Sequence, residues 1–344
     1  MPYRRSRNLS RKKIYIAYTG GTIGMRPSQR GYVPAPGFLT ETLSKMPEFN
    51  RSEMPLFDIH EYSNLIDSSD MSPLDWQKMA EDIAQNYDAY DGFIILHGTD
   101  TMAYTASALS FMLEGLNKPV IVTGSQIPLA ELRSDGQENL LNALFIAANY
   151  PIAEVGLFFN NRLLRGNRAR KLDANGFDAF DSPNLPALID AGIKITMTGQ
   201  HLPTKQQSQL TIGAIQSQPI GVINLYPGIS AEVIKNTLQQ PVTALILLSY
   251  GVGNAPQSKA ILEQLAIAST KQIIVLNCTQ CIRGKVDMSG YANGQALAEA
   301  GVVSGADMTP EAALAKLHYL MSKSLTFREL KQQLAENLRG ELTV

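Results

Sequence analysis

Short apolar runs alternate with amphipathic segments along most of the chain. The runs predicted as strands in the first half are Lys13–Tyr18, Phe57–Glu61, Gly92–Leu96, Pro119–Thr123 and Val155–Phe159. Apolar residues at helical spacing lie between them, over Ser72–Tyr87, Thr101–Leu116 and Ser134–Tyr150. Strands that alternate with helices favour a parallel sheet joined by right-handed crossovers.

A polar stretch divides the chain into two parts. Residues 196–211 contain several glutamines and few apolar positions, so we interpret them as a linker. The alternation resumes beyond it, with strands predicted at Ile220–Leu225, Thr243–Leu248 and Gln272–Leu276 and helices at Ser230–Leu238 and Pro256–Ala268. Two terminal helices follow, and Thr309 and Pro310 open the first of them. The predicted α/β architecture is a basic leader (residues 1–12), an N-terminal domain (13–195), the linker and a smaller C-terminal domain (212–344).

Length and charge agree with this division. The chain has 344 residues, which at roughly 150 per domain favours two domains. Thirty basic residues against thirty-one acidic ones give a net charge of −1. Charged residues make up only 18% of the chain and apolar residues an ordinary 44%, so the composition excludes disorder and a highly charged nucleic-acid-binding protein. Six of the basic residues lie in the first thirteen positions, so the remainder carries 24 against 31 and is acidic, at −7.

The chain has no predicted membrane or export segment. Its apolar runs are too short to span a bilayer, and the basic start lacks the apolar stretch of a signal peptide. We therefore expect a cytoplasmic protein that binds neither membrane nor nucleic acid. The two cysteines exclude a disulfide framework and suit a reducing compartment.

Polar loops follow the first three predicted strands. These loops are TGGTIG (residues 19–24), DSSD (67–70) and HGTDT (97–101). Ligands of open α/β sheets bind beyond the carboxyl ends of the strands. We therefore expect the hydroxyls and carboxylates of the three loops to converge at one edge of the sheet.

Each of these loops has more than one interpretation. TGGTIG is a phosphate cradle, a structural turn or a loop with a catalytic hydroxyl, although it lacks the Lys-Ser/Thr ending of a P-loop. Thr99 and Asp100 also suit a helix cap, whereas the backbone at Gly98 suits the stabilisation of an oxyanion. His97 directly follows an apolar strand and is expected to be a buried histidine with satisfied hydrogen bonds.

Other candidate groups point to no metal and no cofactor. Cys278 and Cys281 form a single CxxC, which lacks the second pair of a zinc site, so we expect an inert structural role. The carboxylates show no spacing typical of metal ligands. The basic run from Arg162 to Lys171 is interpreted by default as a solvated loop, although its position after a strand also points to the ligand edge.

Two segments resemble the signatures of a known enzyme family. IAYTGGTIG (Ile16–Gly24) and GFIILHGTDTM (Gly92–Met102) resemble the two signature segments of the bacterial-type L-asparaginases. The segment GVGNAPQ (Gly251–Gln257) extends the likeness. The loop sequences DSSDM and LNCTQC are similar to those of the cytoplasmic type I branch of this family. The resemblance implies a two-domain asparaginase-like fold whose larger N-terminal domain carries the chemistry. It also implies that L-asparagine is hydrolysed to L-aspartate and ammonia without metal or cofactor, in a homodimer or homotetramer.

The resemblance also implies roles for individual residues. The second threonine of TGGTIG, Thr22, is the nucleophile, and Thr99, Asp100 and Lys171 are its catalytic partners. Tyr32, in the segment after the first motif, closes over the site and polarises Thr22.

The expected substrate-binding residues surround this group. By the same resemblance, Ser68 and Asp100 hold the α-carboxylate and α-amino groups of the substrate. Asn254 reaches the site of a neighbouring subunit. The remaining expected binding residues are Gly21, Asp67, Ser69 and Gly98. The periplasmic branch has Ser-Gln where this chain has Ser-Ser, so recognition of the substrate backbone is expected to differ there.

Three alternative functions remain at this point. Glutamine is one, because an extra methylene is worth only about 1–3 kcal/mol in a pocket. A binding module that senses asparagine or a nucleotide through the same loops is another, although two threonines with a lysine and a carboxylate suit covalent chemistry better. An amidotransferase subunit is the third, and the short segment before the first strand argues against it.

Overall fold

The computed structural model describes residues 11–29, 31–199, 201–202, 209–290 and 292–343. The predicted basic leader falls mostly on residues 1–10, which lie outside the described residues. Residues 200 and 203–208 of the predicted linker also lie outside them.

The strands and helices follow one another along the chain in the predicted alternation. The strands are β1 (Lys13–Gly20), β2 (Met25–Ser28), β3 (Gly31–Pro34), β4 (Leu56–Ile66), β5 (Gly92–Leu96), β6 (Leu113–Glu114), β7 (Val120–Thr123), β8 (Val155–Phe159), β9 (Arg162–Arg165), β10 (Arg170–Lys171), β11 (Phe180–Asp181), β12 (Ile189–Ala191), β13 (Ile195–Met197), β14 (Thr211–Ile212), β15 (Ile220–Asn224), β16 (Ala244–Ser249), β17 (Ile274–Thr279) and β18 (Val303–Ser304). The α-helices are α1 (Phe38–Lys45), α2 (Pro73–Asn86), α3 (Met102–Met112), α4 (Gly136–Asn149), α5 (Ala231–Thr237), α6 (Lys259–Thr270), α7 (Ala292–Glu299), α8 (Pro310–Met321) and α9 (Phe327–Ala335).

The N-terminal domain is built on an eight-stranded sheet in the order β13-β12-β9-β8-β7-β5-β1-β4. The strands from β8 to β4 are parallel, as the alternation predicted. Every residue of β5 and β8 is buried, which is typical of strands covered on both faces. The antiparallel extension through β9, β12 and β13 was not predicted from the alternation.

The C-terminal domain carries a smaller parallel sheet in the order β15-β16-β17-β18. One of the hydrophobic core clusters contains residues of both domains, and there α8 packs against α3. All residues of α3 except Tyr104 are buried, because the helix lies between the large sheet and α8. The predicted two-domain α/β fold is confirmed, while the residue boundaries of the domains stay a prediction.

Local differences from the prediction have identifiable causes. The helix predicted to reach Leu116 ends at Met112, because the next two residues form β6 and pair with β14. Gly115 then takes a positive φ of 78°, which favours glycine and does not continue a helix. The β2–β3 hairpin and α7 were not predicted. By contrast, α2 lies within the predicted Ser72–Tyr87, and a Ser72–Asp75 capping box marks its start.

Candidate active site

Three loops meet at the carboxyl edge of the large sheet. They follow β1, β4 and β5, and β1 lies between the other two strands. The loop after β1 therefore lies in the middle, with DSSD on one side and HGTDT on the other. The predicted convergence of the three loops is confirmed.

Two glycines allow the loops to touch. Gly21 has a φ of +88°, and a Cβ at this position would lie 2.3 Å from the backbone nitrogen of Gly98. A Cβ at Gly98 would in turn lie 2.4 Å from Oγ of Ser68. Any larger residue at either position would force the loops apart, so the motif needs glycine for close backbone approach.

The nucleophile candidate stands at the start of a short 3-10 turn. This turn spans Thr22–Gly24, and Thr22 is partly buried while the next two residues are buried. A hydrogen bond holds the backbone of the turn, because the carbonyl oxygen of Ile23 accepts from the backbone amide of Leu129. The Thr22 side chain thus lies at the boundary between the core and the open edge of the site.

The DSSD loop forms a second 3-10 turn, Ser68–Asp70. Ser68 is buried, and its carbonyl oxygen accepts a hydrogen bond of 2.7 Å from the hydroxyl of Thr101. Asp67 is exposed, and one of its oxygens accepts bonds from both the amide and the hydroxyl of Ser69. Ser68 is therefore held against HGTDT, whereas Asp67 and Ser69 form a local turn at the rim.

A lysine joins the site from a distant part of the chain. Lys171 lies on β10, which forms a two-residue antiparallel pair with β11. Its Nζ donates to Oγ1 of Thr99 at 2.8 Å and to Oδ1 of Asp100 at 2.7 Å. The structure thus brings together three of the residues singled out in the sequence, although 71 positions separate the lysine from the aspartate.

Reasoning from the sequence missed one residue of this cluster. The hydroxyl of Thr99 donates a 3.0 Å hydrogen bond to Oε1 of Gln126, in the loop that follows β7. The rule that selected the other loops, which looks at the segment after each parallel strand, would have found Gln126 as well. The segment GSQIPL (residues 124–129) carries no recognisable motif that distinguishes it from an ordinary connecting loop.

His97 is a structural residue of the site. It is fully buried, Nδ1 lies 2.7 Å from the carbonyl oxygen of Gly98, and Nε2 lies 2.8 Å from the hydroxyl of Thr105. Because a carbonyl oxygen only accepts, the proton is assigned to Nδ1. Burial lowers the pKa of His97 to about 4, against a smaller opposing effect of the Gly98 hydrogen bond. The expectation of a buried, satisfied histidine is confirmed.

Two expected site residues lie apart from this cluster. Tyr32 is on the exposed β2–β3 hairpin with half of its surface accessible, and partial desolvation followed by the charge of Glu131 raises its pKa. Asn254 belongs to the C-terminal domain, where its backbone pairs with Tyr250 in the turn after β16. Their expected roles stay predictions.

The default interpretation of the basic run as a solvated loop is wrong. Arg165 and Arg168 are buried, and they pair with Glu154 at 2.6 Å and Asp307 at 2.8 Å. Burial of an arginine requires a partner carboxylate. Glu154 lies 11 positions from Arg165, whereas Asp307 lies 139 positions from Arg168, in the C-terminal domain. The run leads into β10 and anchors it to the C-terminal domain.

The remaining candidates lie outside this cluster. Cys278 lies in the core, and burial raises its pKa to about 12, whereas Cys281 is exposed. Among the described residues, no group of three or more His, Cys, Asp or Glu side chains is arranged to hold a metal ion. None of the helices described here is both long and apolar enough to cross a membrane.

Comparison with known families agrees with the motifs. The family described as asparaginase, N-terminal, matches residues 13–203, and the glutaminase/asparaginase C-terminal domain matches residues 219–334. L-asparaginase 1 of Escherichia coli K12 is 64% identical over 97% of this chain and 99% of its own length.

Solved structures show the same relationship. L-asparaginase I from Vibrio cholerae is 64% identical, superposes with a TM-score of 0.92, and is matched over 97% of this chain and 100% of that one. The thermostable L-asparaginase from Thermococcus kodakarensis is 30% identical with a TM-score of 0.87, over 96% and 99% of the two chains. Together with the signature loops at the sheet edge, these matches show that the chain belongs to the L-asparaginase family of amidohydrolases, and to its type I branch.

Proposed function

We propose that this enzyme hydrolyses the side-chain amide of L-asparagine, giving L-aspartate and ammonia, through an acyl-enzyme on Thr22. The observation that carries the proposal is the cluster in which Lys171 Nζ binds both Thr99 and Asp100. Thr99 and Asp100 lie on the loop that touches the TGGTIG turn through Gly21 and Gly98. The names of the similar asparaginases supply the substrate.

The chemistry needs an activated hydroxyl and a site for the oxyanion. An amide is a poor electrophile and a threonine hydroxyl a weak nucleophile at neutral pH. In the proposed first step, Oγ1 of Thr22 bonds to the amide carbon, and its proton passes to the hydrogen-bonded unit of Thr99, Asp100 and Lys171. The C–N bond then breaks, and the nitrogen takes that proton from the unit and leaves as ammonia.

Water completes the reaction. The oxygen of water bonds to the ester carbon and its proton passes to the same unit. The bond to Thr22 Oγ1 then breaks, Oγ1 takes the proton from the unit, and L-aspartate leaves. In both steps the oxyanion is proposed to face backbone N–H groups near the contact of Gly21 and Gly98. Loss of one such donor typically costs about 10²- to 10³-fold in kcat, so the close approach of the two glycines is a large part of the proposed catalysis.

Substrate recognition is proposed to come from the flanking loops. Ser68 and Asp100 are assigned to the α-carboxylate and α-amino groups, with Asp67 and Ser69 at the rim. Asp100 has two thirds of its side chain exposed and thus retains a face for a ligand. Tyr32 is proposed to close over Thr22 from the exposed hairpin.

The assembly and location of the enzyme are part of the same proposal. We propose a cytoplasmic homodimer or homotetramer in which Asn254 contributes to the site of a neighbouring subunit. Light scattering on the purified protein tests the assembly. A monomer with full activity would remove the proposed role of Asn254.

Ammonia release tests the proposed function. Steady-state rates with asparagine and glutamine are measured side by side on the wild type and on Thr22→Ala. We expect asparagine to be preferred and Thr22→Ala to lose activity by several decades while its circular dichroism is unchanged. No release above blank by the wild type would favour a binding module, and a glutamine preference would change the assigned substrate.

A further inference from the structure

The side chain of Gln126 connects Thr99 to the backbone that follows Lys171. The residue lies in the loop after β7, and its side chain spans the gap between Thr99 and the turn that follows Lys171. Oε1 accepts from the hydroxyl of Thr99 at 3.0 Å. Nε2 donates to the carbonyl oxygens of Gly176 at 3.0 Å and Ala174 at 3.4 Å.

These contacts fix which way the amide of Gln126 points. Backbone carbonyl oxygens only accept hydrogen bonds, so the NH2 group must face Ala174 and Gly176. The carbonyl oxygen of the side chain then faces Thr99 and can only accept from it. A flipped amide would place two oxygens against each other on one side of Gln126.

The direction of the Thr99 hydroxyl follows from this arrangement. Lys171 donates to Oγ1 of Thr99, so this oxygen accepts on one side and gives its own proton to Gln126 on the other. A hydroxyl has two lone pairs, and one of them remains after the lysine contact. Gln126 thus holds the Thr99 proton away from the lysine and leaves an acceptor position on the oxygen.

The backbone of Gln126 is itself held in place. Its amide N–H lies 3.0 Å from both carboxylate oxygens of Asp135, the residue before α4. The turn that follows Lys171 is also held in place, because the carboxylate of Asp173 accepts hydrogen bonds from the backbone amides of Asn175 and Gly176. The side chain therefore joins two fixed points rather than two free loops.

We propose that Gln126 is a positioning residue of the hydrolysis, which sets the hydroxyl direction of Thr99 and couples it to the turn that follows Lys171. This inference rests on the proposed function, since it assigns Gln126 a part in the same proton-carrying unit. Gln126 is not proposed to touch the substrate, so its loss acts on kcat more than on KM.

Two substitutions separate this role from a merely structural one. Gln126→Met removes the hydrogen bonds at similar length, and we expect kcat to fall by about 10- to 100-fold at every pH while KM changes by less than about threefold. In Gln126→Glu, the neutral carboxyl still accepts from Thr99 and donates to Gly176, whereas the ionised form cannot donate. The kcat of Gln126→Glu relative to wild type is therefore expected to fall by about tenfold or more as pH rises from about 4 to 8.

Two control variants make the result decisive. Gln77→Met removes a partly buried glutamine on α2 that accepts from the backbone of Ile215, and its kcat is expected to match wild type. Thr99→Val tests the proposed function in the same assay. If Thr99→Val is inactive while Gln126→Met keeps at least about a third of wild-type kcat, the role of Gln126 is wrong and the proposed function stands. If Gln126→Glu keeps a constant ratio to wild type across pH, the donation to Gly176 does not matter for catalysis, and the assigned coupling to the turn after Lys171 is also wrong. Near-normal turnover of Thr99→Val would instead overturn the proposed function.

Discussion

Two lysine–carboxylate pairs in this enzyme have nearly the same length and different surroundings. Lys171 Nζ lies 2.7 Å from Asp100, and Lys316 Nζ lies 2.6 Å from Glu341. Both side chains of the second pair are fully buried, whereas 20% of Lys171 and 66% of Asp100 are exposed. The distance between the charged atoms therefore does not distinguish an ion pair that holds the fold together from one that takes part in catalysis. The two are distinguished by how deeply the pair is buried and by whether all of its hydrogen-bonding groups already have partners.

The hydrogen-bonding groups of the buried Lys316–Glu341 pair are occupied by partners within the fold. Lys316, on α8, also donates to the backbone carbonyls of Leu334 and Glu336, so its three N–H groups all have acceptors. Glu341 accepts from the backbone amides of Leu338 and Arg339. Burial lowers the pKa of Lys316, and the negative charge of Glu341 opposes this effect. The pair fixes the C-terminal segment against α8.

The Lys171–Asp100 pair at the active site has hydrogen-bonding groups left over for a ligand. Two of the three N–H groups of the Lys171 ammonium are used in its described contacts with Thr99 and Asp100. Because one side of the pair faces solvent, a ligand can approach it without the loss of a buried ion pair. This difference predicts that replacement of the two lysines changes different observables.

The largest expected effect belongs to Lys171. Lys171→Met should lower kcat by about 10²- to 10⁴-fold, the range that positioned proton-transfer groups supply. Its free energy of unfolding should change by less than about 1 kcal/mol, because an exposed pair contributes little. Ammonia release and urea unfolding on one preparation measure both. A Lys171→Met variant with normal kcat and a large loss of stability would reverse the comparison.

The second effect is expected in stability alone. Lys316→Met should lower the free energy of unfolding by about 3–5 kcal/mol, because it leaves the Glu341 carboxylate buried without its partner. The kcat per folded molecule should stay at the wild-type value. Replacement of both partners by apolar residues should restore much of the loss, which denaturant unfolding of the double variant would check.

His97 extends the comparison to a buried group that is neutral rather than charged. The pKa of His97 is about 4 in the folded enzyme against an ordinary 6.5, so below pH 6.5 the unfolded chain takes up a proton that the folded one resists. Stability is therefore full above pH 6.5 and decreases as pH falls towards 4, by about 3 kcal/mol in total. The unfolding free energy of His97→Asn, measured over the same range, should lack this component. Parallel pH curves for the two proteins would contradict the assigned burial of a neutral imidazole.

The features that the sequence predicted are those carried by local pattern. β5 and β8 were predicted to the residue because each is a continuous apolar run with polar flanks, as expected for a strand buried on both faces. The convergence of TGGTIG, DSSD and HGTDT followed from a topological rule that needs only strand order.

The features that it did not predict depend on pairing between distant positions. Arg168 is buried against Asp307, 139 positions away, and no periodicity signals such a partner. Gln126 stands in a loop without a recognisable motif, and its importance appears only when Thr99 and the turn after Lys171 are placed around it. Charge and polarity along the chain predict a solvated surface at such positions, whereas long-range pairing makes them part of the core or the site.

The central claim is that Thr22 carries the acyl group, and mass spectrometry of a trapped intermediate tests it most directly. The enzyme is quenched during turnover of a slow asparagine analogue, digested and mapped by peptide. We expect the added acyl mass on the peptide that contains Thr22, and its loss in Thr22→Ala. Acylation of Thr99 or of any other residue in the wild-type enzyme would contradict the account.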